Sequence, residues 1–173
     1  EKVIRDFWDV NINFDWWEFI CADAKSVGVE ITAFDIDRGN YCEVQIYDHY
    51  ETAELIVKYH GENCETHQIA KNYLNKMNVL LDRFDRADSV HGVFYYKDED
   101  LTEKEERLYD YCDDIMNEIE EDREELNSLF ISELSGAYLD MLRREYEYLT
   151  SEEGIKDTII ANEYEFTESG KVW

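Results

Sequence analysis

The chain has 173 residues, 44% of them hydrophobic and 14% aromatic, enough for one packed domain or a compact domain with an elongated extension, and too apolar for wholesale disorder. Its 43 acids against 17 Lys and Arg give a formal net charge of −26, a surface that repels nucleic acid and anionic membranes and attracts basic surfaces over a salt-dependent range. Direct binding of DNA or RNA is argued against on that ground, and no apolar run approaches the length of a membrane span.

In chain order, DFWDVNINF (residues 6–14) sets Trp8, Val10, Ile12 and Phe14 on one alternating face, which predicts a half-buried strand. Asp15 is placed to cap a helix carrying Trp17, Ile20, Cys21, Ala24 and Val27 on one stripe, and Gly28 is placed to end it. VEITAFDID predicts a strand, DRGN a turn and YCEVQIY its hairpin partner, for a β-α-β-β opening. Helices are expected near residues 51–60 and 64–84, broken at Gly61, with Ile69, Tyr73, Met77, Leu80, Leu81 and Phe84 on the inner face of the second. HGVFYYK then reads as a short strand or an extended connector.

The stretch from residue 98 to 125 holds fifteen carboxylates against three basic side chains, a net of −12. Thr102 and Glu105 have capping-box spacing, and Leu108, Cys112, Ile115 and Ile119 form a narrow apolar seam on a helix otherwise covered in acid. The seam pauses at EEDREE and resumes with Leu126, Phe130, Leu134, Tyr138, Met141 and Leu142, so the segment is one long helix or a helical hairpin. Thr150 and Glu153 offer a further capping box before GIKDTIIANEY, and YEFTESGKVW reads as a small hairpin turning at Ser169 and Gly170. The expected class is α+β: residues 1–97 as an α+β body of net charge −8, and residues 98–173 as an acidic helical region of net charge −18, packed with the body or apart from it.

Several patterns invite chemistry. His60, Cys64 and His67 have spacings that could gather a metal, but a fourth ligand is missing nearby, and a free thiol beside surface histidines explains the same letters. Cys21, Cys42, Cys64 and Cys112 contain no CxxC pair and read as reduced thiols of a cytosolic protein. With 43 acids, spacing alone cannot select a catalytic carboxylate pair, and no GxSxG, Walker, dinucleotide or HExxH motif occurs. The expectation is a non-enzyme without cofactor or metal. Among the aromatics, Trp8 and Trp17 read as core. Trp16, adjacent to Trp17, must point elsewhere, either packing under another element or anchoring an interface, as do the tyrosines of the YEY group, Tyr146 and Tyr148.

The acidic stretch is open to three readings. It is a solvated helix face, a high-salt surface or a mimic of nucleic acid. A halophilic surface would spread the charge, whereas here it is concentrated in the C-terminal half. As a helix the segment runs roughly 42 Å at ~1.5 Å per residue. That is one carboxylate per ~2.8 Å, against ~1.7 Å per phosphate along duplex DNA. The expected partner is thus the basic nucleic-acid-binding groove of a protein or ribonucleoprotein. The seam would face the protein while Asp98, Glu99, Asp100, Glu106, Asp110, Asp113, Asp114, Glu121, Asp122 and Glu125 face the partner, with Trp16 as an aromatic anchor.

Residues 6–42 (DFWDVNINFDWWEFICADAKSVGVEITAFDIDRGNYC), 142–155 (LRREYEYLTSEEGI) and 161–171 (ANEYEFTESGK) resemble a family of small acidic phage and prophage proteins, some of them labelled as toxin–antitoxin components. The likeness implies a phage context and a host-cell cytoplasm, and supplies no catalytic residues. In character the chain is similar to DNA-mimic anti-restriction and anti-CRISPR proteins, which implies inhibition of a host defence nuclease complex. The alternatives are an antitoxin-like acidic partner that neutralises a basic toxin, and a carboxylate-based nuclease.

Overall fold

A computed structural model describes residues 2–95 and 101–167. Among them lie six helices and two strands: α1 (Lys2–Asp6), α2 (Glu18–Ser26), β1 (Val29–Asp35), β2 (Tyr41–Ile46), α3 (His49–Tyr59), α4 (Glu65–Tyr95), α5 (Glu103–Thr150) and α6 (Glu152–Ala161). The fold is α+β, with long helices in the second half and a two-stranded antiparallel sheet.

The chain divides by packing into two compact units, Glu1–Gln45 with Ser135–Trp173, and Ile46–Leu134. The division by charge at residue 97 is therefore not the division by packing, because α5 contributes its first part to one unit and its last part to the other.

In the first unit, Ile20, Ala24, Val27 and Val29 are buried with Cys42, Tyr138, Leu142 and Ile155. Gly28, at φ 86°, ends α2 in a conformation that a β-carbon disfavours, and the chain turns there into β1. The hairpin loop is held by the Asp35 carboxylate, which accepts from the backbone amides of Asp37 at 2.9 Å, Arg38 at 3.0 Å and Gly39 at 3.0 Å. At Gly154 a β-carbon would stand 2.2 Å from the Tyr148 carbonyl, so only glycine lets α6 start this close to the end of α5.

Three expectations fail here. Residues 7–14 form no strand. Successive turns take their place, with bonds such as Val10 N–H to Phe7 O at 3.0 Å and Ile12 N–H to Asp9 O at 3.0 Å, leaving Trp8 53% and Phe14 79% exposed. Asp and Asn at positions 9, 11, 13 and 15 favour turns. Asn11 fixes this one by donating to the Leu149 carbonyl at 2.9 Å and accepting from Thr158 Oγ at 2.6 Å. Asp15 does not cap α2 through its side chain; Trp17 is the N-cap residue and no side-chain cap bond forms. The cap of α6 is Ser151 rather than Thr150, with Ser151 Oγ accepting from Gly154 N–H at 3.0 Å. The expected C-terminal hairpin falls partly on residues 168–173, outside the described residues.

In the second unit, Asp48 caps α3, accepting from Glu51 N–H at 2.9 Å. The α3 helix stops at Tyr59, just before Gly61, and α4 runs on to Tyr95, so HGVFY is helical and neither strand nor connector. His91 accounts for the extension by stacking on Tyr109 of α5, with ring centroids 4.1 Å apart. The α5 helix opens as expected, Thr102 N–H donating to the Glu105 carboxylate at 2.8 Å, and continues through EEDREE without a break.

Candidate functional site

The apolar seam orients the first half of α5. Cys112, Ile119, Leu126 and Phe130 are buried, Ile115 is half-buried and Leu108 is 41% exposed. Phe130 stacks on Tyr73 of α4, centroids 4.3 Å apart and planes 23° apart, and the Tyr73 hydroxyl donates to Asn127 Oδ1 at 2.7 Å. Burial pushes that hydroxyl up to about 12. With this side fixed inward, the opposite side of the helix faces solvent.

There the acids separate into two groups. Glu103 pairs with Arg107 at 2.7 Å and Glu120 with Arg123 at 2.6 Å, while Arg83 of α4 reaches Glu118 and Asp122 at 3.5 Å each. Asp122 is accordingly half-buried and tied to α4 rather than free for a partner. Glu106, Asp110, Asp113, Asp114, Glu121 and Glu125 are exposed as expected, together with Glu124, and these seven have no ion pair among the described residues. At roughly 100° per residue they occupy about 120° of arc, centred opposite the seam. They extend over roughly 30 Å of helix, one carboxylate per ~4 Å. That spacing resembles the ~3.4 Å phosphate repeat of one DNA strand more than the doubled density of a duplex. Asp98, Glu99 and Asp100 lie outside the described residues.

Trp16 is not on this face. It is half-buried in an aromatic cluster of the first unit, 5.6 Å from Trp17, 6.2 Å from Phe34 and 5.6 Å from Tyr146 by ring centroids. Those contacts make it a packing residue, and Tyr146 serves the same cluster.

The metal pattern is used for hydrogen bonds. His60 Nδ1 lies 2.7 Å from Thr66 Oγ, and His67, buried, lies 3.0 Å from the His60 carbonyl through its Nδ1, while Cys64 is exposed. No group of three His, Cys, Asp or Glu among the described residues is placed to hold a metal ion. Asp35 is held below the ordinary carboxylate range by the amides of its loop, and Glu152 by its hydrogen bond to Lys156. Both shifts run opposite to the raised value a general acid needs.

Sequence reasoning missed a groove between α4 and α5, of about 640 Å³, lined by Asn75, Lys76, Val79, Leu80, Asp122, Glu125, Leu126 and Leu129. A smaller cavity of about 400 Å³ shares Asn75, Lys76, Leu126 and Leu129 and extends to Glu133. The only sequence signal was an excess of apolar residues at positions 79 and 129 beyond what each seam needs. A third hollow, of about 280 Å³, lies at the start of α3 beside Asp48, His49 and Arg123. Desolvation lowers the His49 pKa there, against the opposing pull of Asp48. Among the described residues no helix is long and apolar enough to cross a membrane. No protein-family model, curated protein or solved structure matches the chain.

Proposed function

We propose that the protein is a non-enzymatic inhibitor that presents the exposed face of α5 as a stand-in for a nucleic-acid backbone and occupies the basic groove of a protein or ribonucleoprotein. One observation carries the reading: seven carboxylates without ion pairs among the described residues share one face of an unbroken helix, spaced about as the phosphates of a single strand. The likeness to phage proteins supports a groove on a host defence nuclease complex, of restriction or CRISPR type. The mechanism is competitive. Lys and Arg side chains that hold phosphates bind carboxylates instead, and the ions they release make binding steeply salt-dependent. Single rim charges contribute little, so the effect is a sum.

The test is phage plating on cells that carry one restriction or CRISPR system. Expression of the wild-type chain is expected to restore plating against the system it inhibits. Reversal of Asp110, Asp113, Asp114 and Glu121 to Lys together should abolish the effect, with circular dichroism unchanged, while each single Asp→Asn or Glu→Gln change lowers it only in part. A complex captured by the wild-type chain should be displaced by added duplex DNA or RNA. Failure of nucleic acid to compete would remove mimicry from the account, and a captured basic toxin would favour the antitoxin reading.

A further inference from the structure

A carboxylate face attracts any basic surface, so it sets strength and speed of encounter better than it sets identity. Beside it lies a feature that can select. Tyr73 stacked on Phe130 holds α4 and α5 apart, and the groove alongside has an apolar floor of Val79, Leu80, Leu126 and Leu129. Val79 is 61% and Leu129 44% exposed, which leaves part of that floor in water on a chain of net charge −26. With its continuation toward Glu133 the groove follows α5 for about three turns, roughly 16 Å. Its rims differ. The α5 rim carries Asp122 and Glu125 and leads onto the acidic face, whereas the α4 rim carries Lys76.

We propose that this groove docks a basic amphipathic helix of the partner protein, with apolar side chains at i, i+3 or i+4, and i+7 set over Val79, Leu80, Leu126 and Leu129. The helix turns its Lys and Arg flank toward Glu125 and the neighbouring Glu121 and Glu124. The proposal deepens the reading of α5 as the partner-binding surface and rests on it: the partner's basic surface supplies the helix. Charge complementarity chooses this occupant. A second copy of the chain brings a like net charge of −26, whereas a basic helix neutralises Glu125 as it covers the apolar floor. The groove adds discrimination, because a basic surface without three turns of apolar side chains leaves that floor wet.

The test uses two fluorophore-labelled peptides of leucine and lysine, about 14 residues long. One has leucines at helical spacing, and the other is a scrambled isomer with no apolar face. By anisotropy, the wild-type chain is expected to bind the patterned peptide about tenfold tighter than the isomer, a difference of about 1.4 kcal/mol. Val79→Gln with Leu129→Gln should erase that preference and leave the isomer unchanged. Both positions are exposed and Gln suits a helix, so the fold should hold, and Val79→Gln alone should move affinity the same way. The fourfold Lys reversal on the acidic face should weaken both peptides about equally. No preference in the wild type, or a preference that survives the groove substitutions, overturns the proposal while leaving the acidic-face reading intact. A preference erased by the groove substitutions beside a Lys reversal without effect keeps the groove and overturns the acidic-face reading. A dimer in sedimentation that the groove substitutions dissolve would assign the groove to a second copy and overturn the proposal.

Discussion

Glu121→Gln is expected to stabilise the protein, and to do so only at low salt. Glu121 is exposed on α5, with Glu118 one turn before it and Glu124 and Glu125 one turn after, and Glu121, Glu124 and Glu125 line one shallow hollow with Ser128. Like charges three or four residues apart on a helix cost about 0.2–0.5 kcal/mol each. Three such pairs amount to about 0.6–1.5 kcal/mol. Glu118 shares Arg83 with Asp122, which weakens its repulsion and puts the expected gain near ~1 kcal/mol. Gln matches Glu in shape and helix propensity, so the charge is the only large change. Urea is the suitable denaturant because it leaves ionic strength free to vary. The midpoint should rise at about 0.01 M salt, where the Debye length is ~30 Å, and the gain should vanish near 1 M, where it is ~3 Å. A variant that is neutral or less stable at low salt would refute the claim that these carboxylates repel one another without compensation.

Tyr73→Phe keeps the stack on Phe130 but removes the bond to Asn127, and should cost about 1 kcal/mol, with a double-mutant cycle against Asn127→Ala returning a coupling of similar size. Because the folded Tyr73 hydroxyl sits at about 12 and an unfolded one near ~10, its contribution is present below the unfolded value and is lost as pH rises between the two; urea midpoints followed through that window should fall. Thiol titration near pH ~8 should modify exposed Cys64 first, while buried Cys112 and Cys42, the latter pushed up to about 11 by burial, react only on unfolding; prompt reaction of Cys42 in the native protein would refute its placement. Asp48→Ala removes the cap of α3 and should lower stability by about 1 kcal/mol, and an unchanged urea midpoint would show that the cap is idle.

The elements legible in the sequence were those whose signals are local. The seam of α5 repeats at helical spacing, the Thr102–Glu105 cap lies within one turn, and the β1–β2 hairpin turns on one Asp-rich loop. Failures came where a distant contact decided. Residues 7–14 alternate as a strand would, but a strand needs an edge to pair with, and the bonds of Asn11 to Leu149 and Thr158 favour turns instead. The helix expected near residues 64–84 runs on to Tyr95, carried past its expected end by the stack of His91 on Tyr109. Trp16 was eligible as an interface anchor until Tyr146, far along the chain, was found packed on it. On the acidic face the sequence placed Glu106, Asp110, Asp113, Asp114, Glu121 and Glu125 outward, where they are exposed, and passed over the equally exposed Glu124. It could not show that Arg83 of α4 takes Glu118 and Asp122 out of the unpaired set, nor that the register of α4 against α5 opens a groove.

A helix that needed only solubility could space its acids against bases, and this chain does so elsewhere. Asp82 with Arg86, Glu103 with Arg107 and Glu152 with Lys156 are all pairs one turn apart. The exposed face of α5 between Glu106 and Glu125 lacks that device. Instead Glu106 and Asp110, Asp110 with Asp113 and Asp114, and Glu121 with Glu124 and Glu125 stand at like-charge spacing. Five such pairs cost about 1–2.5 kcal/mol at low salt. A partner that supplies cations to this face recovers that amount on binding, a gain of roughly 5- to 70-fold in affinity. Folding is therefore weakened by the same charges that binding relieves, and neutralising them should move stability and affinity in opposite directions. A set of Glu→Gln and Asp→Asn variants measured both ways is the direct check. Stability and binding that rise together, or binding indifferent to every substitution, would leave the face a solvated surface and detach the function from α5.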